Sequence, residues 1–384
     1  MSAPDNGQAV PVSRFARRMT DLMQAGGHSY RTLAAAAAAD PGYLNKLANG
    51  HRTAPGPAVA AALDRALHAD GELVDLARTE VAAQPPPPEP GPLGDADAAK
   101  TRATLDRLIH LDTAHGSDGL VSVATRAFRA AADRLAVVGG NPDVRSAVAD
   151  LGAAAAWVTA DATQRDKSRT IALEALAQAD LAGDARLHRF LLSHLSMVSE
   201  HAGRYGDALA YADRALLEQP HDPRVQAMFQ VRRARALSGL GSHPAAVAAW
   251  DRAEHLLTAS PLADDGLTYW IHDAEMAIHK AVILTRGGDR DAVDWARRGV
   301  QLLPDAQGRD QVLFRAMLLH DAVAARAWRD VPGIVEDLFD HAGGARSARI
   351  PEVLEATWRK ASVERAPKVA RDAVRAAQQK LAAA

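Results

Sequence analysis

The sequence predicts an all-α protein in two parts, and three observations carry that prediction. Apolar residues recur at helical spacing along most of the 384-residue chain, and no run alternates at period two for long enough to argue a sheet. Alanine, the best helix former, is abundant throughout. The segment AAQPPPPEPGPLGDADAA, residues 82–99, interrupts the pattern; its proline run excludes helix and favours a stiff polyproline II spacer. The chain thus divides into a five-helix unit over 1–81, a Pro-rich linker over 82–100 and a second helical region over 101–384.

Within the first unit, residues 1–12 read as a flexible arm. Residues 13–25 form a helix with Phe15, Met19 and Leu22 on one face. Residues 29–38 and 41–49 are two short helices joined by a tight turn. Residues 57–69 place Val59, Leu63 and Leu67 inward, and residues 72–81 place Leu73 and Leu76 inward. In the third helix Asp40 is a good N-cap, and Pro41 takes the first helical position, where its missing N–H costs nothing. Tyr43, Leu44 and Leu47 make the inward face and leave Asn45, Lys46 and Asn49 pointing elsewhere. A short helix with a polar outer face, packed on a preceding helix, has the shape to enter a DNA major groove.

Residues 29–55, SYRTLAAAAAADPGYLNKLANGHRTAP, resemble the Xre-type (lambda-repressor-like) helix-turn-helix family. The family pattern falls on Ser29, Leu33, Ala34, Asp40, Tyr43, Leu44, Asn45, Lys46, Leu47, Gly50, Arg52 and Pro55. The chain departs from it at Tyr30, where the family carries Gln. It departs again in the turn within 36–39, which lacks Gly, so a left-handed residue there is non-Gly and strained. The resemblance implies DNA contact through Tyr30, Arg31, Asp40, Gly42, Asn45, Lys46, Asn49, His51 and Arg52. Pro41 and Gly42 cannot read bases through side chains, so reading falls on Asn45 for an adenine edge and Lys46 for guanine acceptors.

The net charge of −2 means that any DNA contact comes from a local patch. In the first unit the cations come early (Arg14, Arg17, Arg18, Arg31, Lys46, Arg52) and the acids late (Asp64, Asp70, Glu72, Asp75, Glu80). A basic face and an acidic back are expected, with modest affinity per copy and hence a homodimer on an inverted-repeat operator in double-stranded DNA. Cysteine is absent, which excludes disulfides, thiol catalysis and cysteine-bound metal. No apolar run reaches membrane-spanning length and the N-terminus lacks the apolar core of a signal peptide, so a cytoplasmic protein is expected, with no membrane partner.

From residue 100 onward, turn signals separate helix-length segments. Three stretches share a pattern: GRYGDALAYADRALLEQP, GLGSHPAAVAAWDRAEHLL and RGGDRDAVDWARRGVQLLP. Small residues align at Ala208, Ala246 and Ala292 and again at Ala215, Ala253 and Gly299, where paired helices must approach closely. Trp250 fills an aromatic position that Ala212 and Ala296 occupy elsewhere, and Pro220 and Pro304 close two units. These stretches resemble tetratricopeptide repeats, with degenerate versions at 143–182 and 311–340. The alternative is an irregular helical bundle containing one such hairpin.

Catalytic chemistry is not legible. Gly139–Gly140 and Gly343–Gly344 are isolated pairs with no following Lys-Ser/Thr, and there is no G-x-S-x-G elbow. None of the fifteen histidines has the spacing of a zinc helix, although His194 and His201 lie two turns apart on one face. Scattered carboxylates read as a solvated face. No catalytic residue, metal ligand or cofactor is assigned, and the expectation is not an enzyme.

The likeness to tetratricopeptide repeats implies a concave groove lined by the first helix of each pair. Its candidate ligand residues are Phe190, Met197, His201, Met228 and Arg235, with Ser193, Glu200, Val231 and Ser238 on the same faces. The combined architecture looks like peptide-responsive regulators of the quorum-sensing kind and like actinobacterial regulators of development. The implied function is a sequence-specific transcriptional regulator whose repeat domain dimerises, senses a peptide or small-molecule effector, or both. The alternative is a tetratricopeptide-like scaffold with little DNA binding. The asparagines that clamp peptides in the former group have no counterpart in the clear repeats, since the four in the chain are Asn6, Asn45, Asn49 and Asn141. A basic stretch at the C-terminus, Arg359 to Lys380, reads as a solvated final helix capping the stack.

Overall fold

The computed structural model describes residues 12–52, 54–83, 91–117, 119–218, 222–259, 268, 270–304, 308–342 and 347–382. Among them are nineteen α-helices and no strand; one isolated bridge joins Leu93 and Gly140. Two compact units are present, Met1–Pro90 and Gly91–Ala384. The expected arm (apart from Val12) and the proline run at 85–88 lie outside the described residues.

The first unit contains α1 (Arg14–Ala25), α2 (Tyr30–Ala36), α3 (Pro41–Ala48), α4 (Pro57–Ala66) and α5 (Glu72–Ala83). Phe15, Met19, Leu33, Leu44, Leu47, Leu63 and Leu73 fill its core with no exposed surface. Leu22, Tyr43, Val59 and Leu76, expected inward, are only partly buried, and Met23, Ala60 and Ala77 face the centre instead. Several late acids have structural tasks. Asp64 accepts from the Gly71 and Leu73 N–H groups at 2.8 and 2.9 Å, satisfying donors at the start of α5. Glu80 accepts from the Phe15 N–H at 2.9 Å and does the same for α1. Glu72 pairs with Arg18 at 2.7 Å. Of the late acids, Glu72 and Glu80 therefore fold back onto α1, while Asp64 serves the start of α5 and Asp75 pairs with Arg78.

The second unit starts earlier than composition suggested. Leu93 is buried, its N–H donates to the Gly139 carbonyl at 3.0 Å, and α6 (Asp95–His115) starts at Asp95. Residues 95–100 are therefore helix and not linker, because one apolar anchor and its backbone bonds dock the chain first. At the other end of the linker segment, Ala82 and Ala83 belong to α5. After α6 come α7 (Val121–Val138) and then six antiparallel pairs: α8 (Pro142–Asp161) with α9 (Arg165–Ala182), α10 (Ala185–His201) with α11 (Tyr205–Leu217), α12 (Pro223–Gly239) with α13 (His243–Thr258), α14 (Asp273–Gly287) with α15 (Ala292–Leu302), α16 (Gly308–Ala324) with α17 (Val331–His341), and α18 (Arg349–Val363) with α19 (Lys368–Ala382).

Small residues hold these pairs together. Ala208, Ala215, Ala246, Ala253 and Ala292 are all buried. A Cβ at Gly299 would lie 2.7 Å from Ile278 Cγ1, so α15 can sit on α14 only with glycine there. Trp250 is buried in the α12–α13 pair.

The first helices of the pairs, α8, α10, α12, α14, α16 and α18, pack in succession and form an inner row. The row curls back on itself. Asp161, at the end of α8, is 3.4 Å from Arg309 Nη1 of α16 and 3.8 Å from Arg349 Nη1 of α18, and Arg165 pairs with Glu352 of α18. Residues 148 and 187 positions apart thus meet, and the concave side becomes a partly closed cleft. At the last pair, Val374 and Ala377 of α19 are buried while Lys368, Arg371 and Arg375 are exposed.

Candidate nucleic-acid interface and inner cavity

Helices α2 and α3 form the motif around which the DNA residues were assigned. Ser29 caps α2 in a reciprocal pair with Thr32, and Asp40 Oδ1 caps α3 by accepting from the Tyr43 N–H at 2.9 Å. The turn residue Ala38 has φ +48°, the expected non-Gly left-handed conformation. Leu44 and Leu47 fix the inner face of α3. Pro41, Gly42, Asn45, Lys46 and Asn49 remain exposed, as do His51, Arg52 and Arg31.

Asn49 Nδ2 donates to the Asn45 carbonyl and to Asn45 Oδ1, both at 2.9 Å. The two amides are locked together and jointly present one donor, Asn45 Nδ2, and one acceptor, Asn49 Oδ1. Adenine's major-groove edge offers the complementary pair. The Arg52 guanidinium lies 5.2 Å from the centre of the Tyr43 ring, which positions it beside the C-terminal end of α3. Among the described residues, Arg14, Arg17, Arg31, Lys46 and Arg52 form no ion pair, so this unit has cations to offer phosphates. Asp40 serves α3 as its cap, and Tyr30 is half-buried against the core. Residues 14–77 match the family model of a helix-turn-helix domain. That match supports a DNA-binding regulator. No curated protein and no solved structure matches the chain.

In the second unit, the inner row of helices lines a partly open cavity of about 110 Å³. Trp157 of α8, Phe190 and Met197 of α10, Trp270, and Phe314 and Met317 of α16 supply its apolar wall. Arg232, Arg235, Arg349, Glu275, Asp310 and three histidines supply the polar one. An adjoining gap of about 270 Å³ shares His201, Arg235, Met317 and Arg349 with the cavity and adds Arg165, Glu200, Arg286 and Asp321.

A buried polar network holds this lining. Arg235 Nη2 donates to both Glu200 oxygens at 3.0 and 2.9 Å, and its Nη1 meets His279 Nδ1 at 2.7 Å. Arg286 also bonds Glu200. Burial opposes ionisation of Glu200, but Arg235 and Arg286 outweigh it and hold its carboxyl well below the usual range. Burial keeps His194 and His201 neutral by lowering both to about 3. Glu275, whose nearest ionisable partner is His279 at 3.8 Å, is pushed up to about 7 by burial. Asp321 is likewise pushed up to about 7 by burial; Thr285 donates to its Oδ1, and its Oδ2 has no partner.

Of the residues expected to bind ligand, Phe190, Met197, His201 and Arg235 line the cavity. Met228 does not: it is fully buried in the core, because α12 turns that face toward the preceding pair. Val231 is core as well, and Ser238 bonds the Arg235 carbonyl. The carboxylates read as a solvated face include Asp161, Glu200 and Asp321, which are buried and paired or hydrogen-bonded. Sequence reasoning missed Trp157, Arg232, Glu275, Asp310 and Arg349, which come from five separate helices, and Trp270, which lies between α13 and α14; only the curl brings them together. The pair Arg232 and Arg235, three residues apart and so on one face of α12, was the available signal. Among the described residues no cluster could hold a metal ion, and no helix is long and apolar enough to cross a membrane.

Proposed function

We propose that the chain is a sequence-specific transcriptional regulator of the Xre type. It reads DNA with α3, binds an inverted-repeat operator as a homodimer, and answers to a small effector in its tetratricopeptide-like unit. The carrying observation is the exposed edge of α3: a coupled Asn45–Asn49 amide pair beside Lys46, on a buried and capped frame. So few readers per copy favour paired binding, with half-sites about one helical turn apart. The cavity, walled by half-buried aromatics and methionines with a few fixed polar groups, has the makeup of a small-molecule site and favours an effector over a purely structural domain. The deciding experiment is genomic binding-site mapping followed by gel shift with the double variant Asn45→Ala, Lys46→Ala. Loss of sequence preference in a folded protein is expected. Unchanged operator binding would remove the assignment and leave the scaffold reading.

A further inference from the structure

The cavity's makeup also indicates what it takes. Trp157, Phe190, Met197, Trp270 and Met317 are half-buried, and each lines the cavity. Large apolar side chains are left with open surface there, which suits a ligand with an apolar body. Three guanidiniums and two carboxylates share the wall. Arg235 is committed to Glu200 and His279. The Arg232 guanidinium lies over the Trp270 ring, 4.4 Å from its centre, and is oriented by its Nε bond to Ser193 at 3.1 Å. Arg349 is held most loosely. Its partner Asp161 is shared with Arg309, and the Arg349 contact, at 3.8 Å, is longer than a hydrogen bond.

We propose that the cavity binds a small carboxylic acid with an apolar body, its carboxylate held by Arg349 beside Arg232 and its body lying against Trp157, Phe190 and Met317. This rests on the reading of the second unit as an effector domain. A bidentate guanidinium–carboxylate pair is the strongest neutral-pH contact that wall can make. An amine would meet three guanidiniums. An acid meets Glu275 and Asp310, but Glu275 can take up a proton. The groups facing Glu275 are Arg232 and Arg235 from α12, Arg349 from α18, Asp310 from α16 and its own neighbour His279. With the carboxyl of Glu275 near neutrality, the acid binds tighter at pH 6 than at pH 8.

The test uses the full chain and three matched probes: 4-phenylbutyrate, 4-phenylbutanol and 4-phenylbutylamine. Tryptophan fluorescence and Tm are the readouts, and Trp157 and Trp270 lie at the site. The acid is expected to bind about tenfold tighter than the alcohol, as one charge-assisted contact gives, and the amine weakest. Arg349→Gln should lose that factor for the acid and leave the alcohol unchanged. If that variant does not fold, the probe series and the comparison of pH 6 with pH 8 on the unaltered protein decide. Equal or tighter binding of alcohol or amine overturns the acid assignment. No saturable binding of any probe overturns the site itself. Gel shift with the same protein reports separately on the regulator: acid binding that leaves the DNA complex unchanged supports the site and overturns only the effector reading.

Discussion

Glu200 on α10 and Glu275 on α14 lie on either side of α12, beside adjoining spaces, yet their carboxyls move in opposite directions. Glu200 has two guanidiniums on it and stays ionised; Glu275, which among the described residues pairs with a neutral histidine alone, is driven toward its neutral form. The folded Glu275, at about 7, holds a proton that the unfolded chain has lost above its ordinary value of 4.5. Its contribution is therefore present below pH 4.5 and is lost as the pH rises through 7. The buried histidines act oppositely: stability falls as pH drops from 6.5 toward their lowered values near 3. Glu275→Gln isolates the first effect. Relative to the unaltered protein, the variant should gain roughly 1–3 kcal/mol between pH 5 and pH 8, measured by urea unfolding at each pH. On the DNA side, Arg52→Ala should weaken binding to all sequences alike and lower the salt slope by about one unit, read from binding constants across a salt series.

Among the elements, α3 was the most legible. Its cap, its Pro start and its Leu44–Leu47 face are all local, and the structure has them as read. The non-Gly turn was also legible, as an absence. Ala38→Gly should stabilise the first unit by about 0.5–1 kcal/mol, since glycine carries no penalty at φ +48°; Tm of the unit reports it. The alternative sign, a loss of stability, would mean that backbone entropy outweighs the strain. In the second unit, the small residues at 208, 246, 292 and 299 marked the helix pairs because close approach is a pairwise demand that sequence spacing records. Which face of α12 met the next helix was not recorded there. Met228 and Arg235 both looked groove-facing, and packing separated them into core and cavity wall.

For the second unit as a whole, the decisive contacts are those that close the curl. Asp161 is buried with Arg309 and Arg349 against it, and Arg165 reaches Glu352. Asp161→Asn leaves two guanidiniums without their anion. It should cost roughly 1–3 kcal/mol in urea unfolding of this unit and make Trp157 and Trp270 more accessible to acrylamide quenching. Quenching unchanged in a folded variant would show that the closure does not depend on this pair. The sequence by itself determined the helices, the division into two units and the capped frame of α3, because propensity, capping and spacing are local. Only the tertiary structure decided that carboxylates and arginines scattered over some 190 residues come together as ion pairs around one partly open cavity. Small rotations between successive helix pairs accumulate, and no short stretch of sequence records their sum.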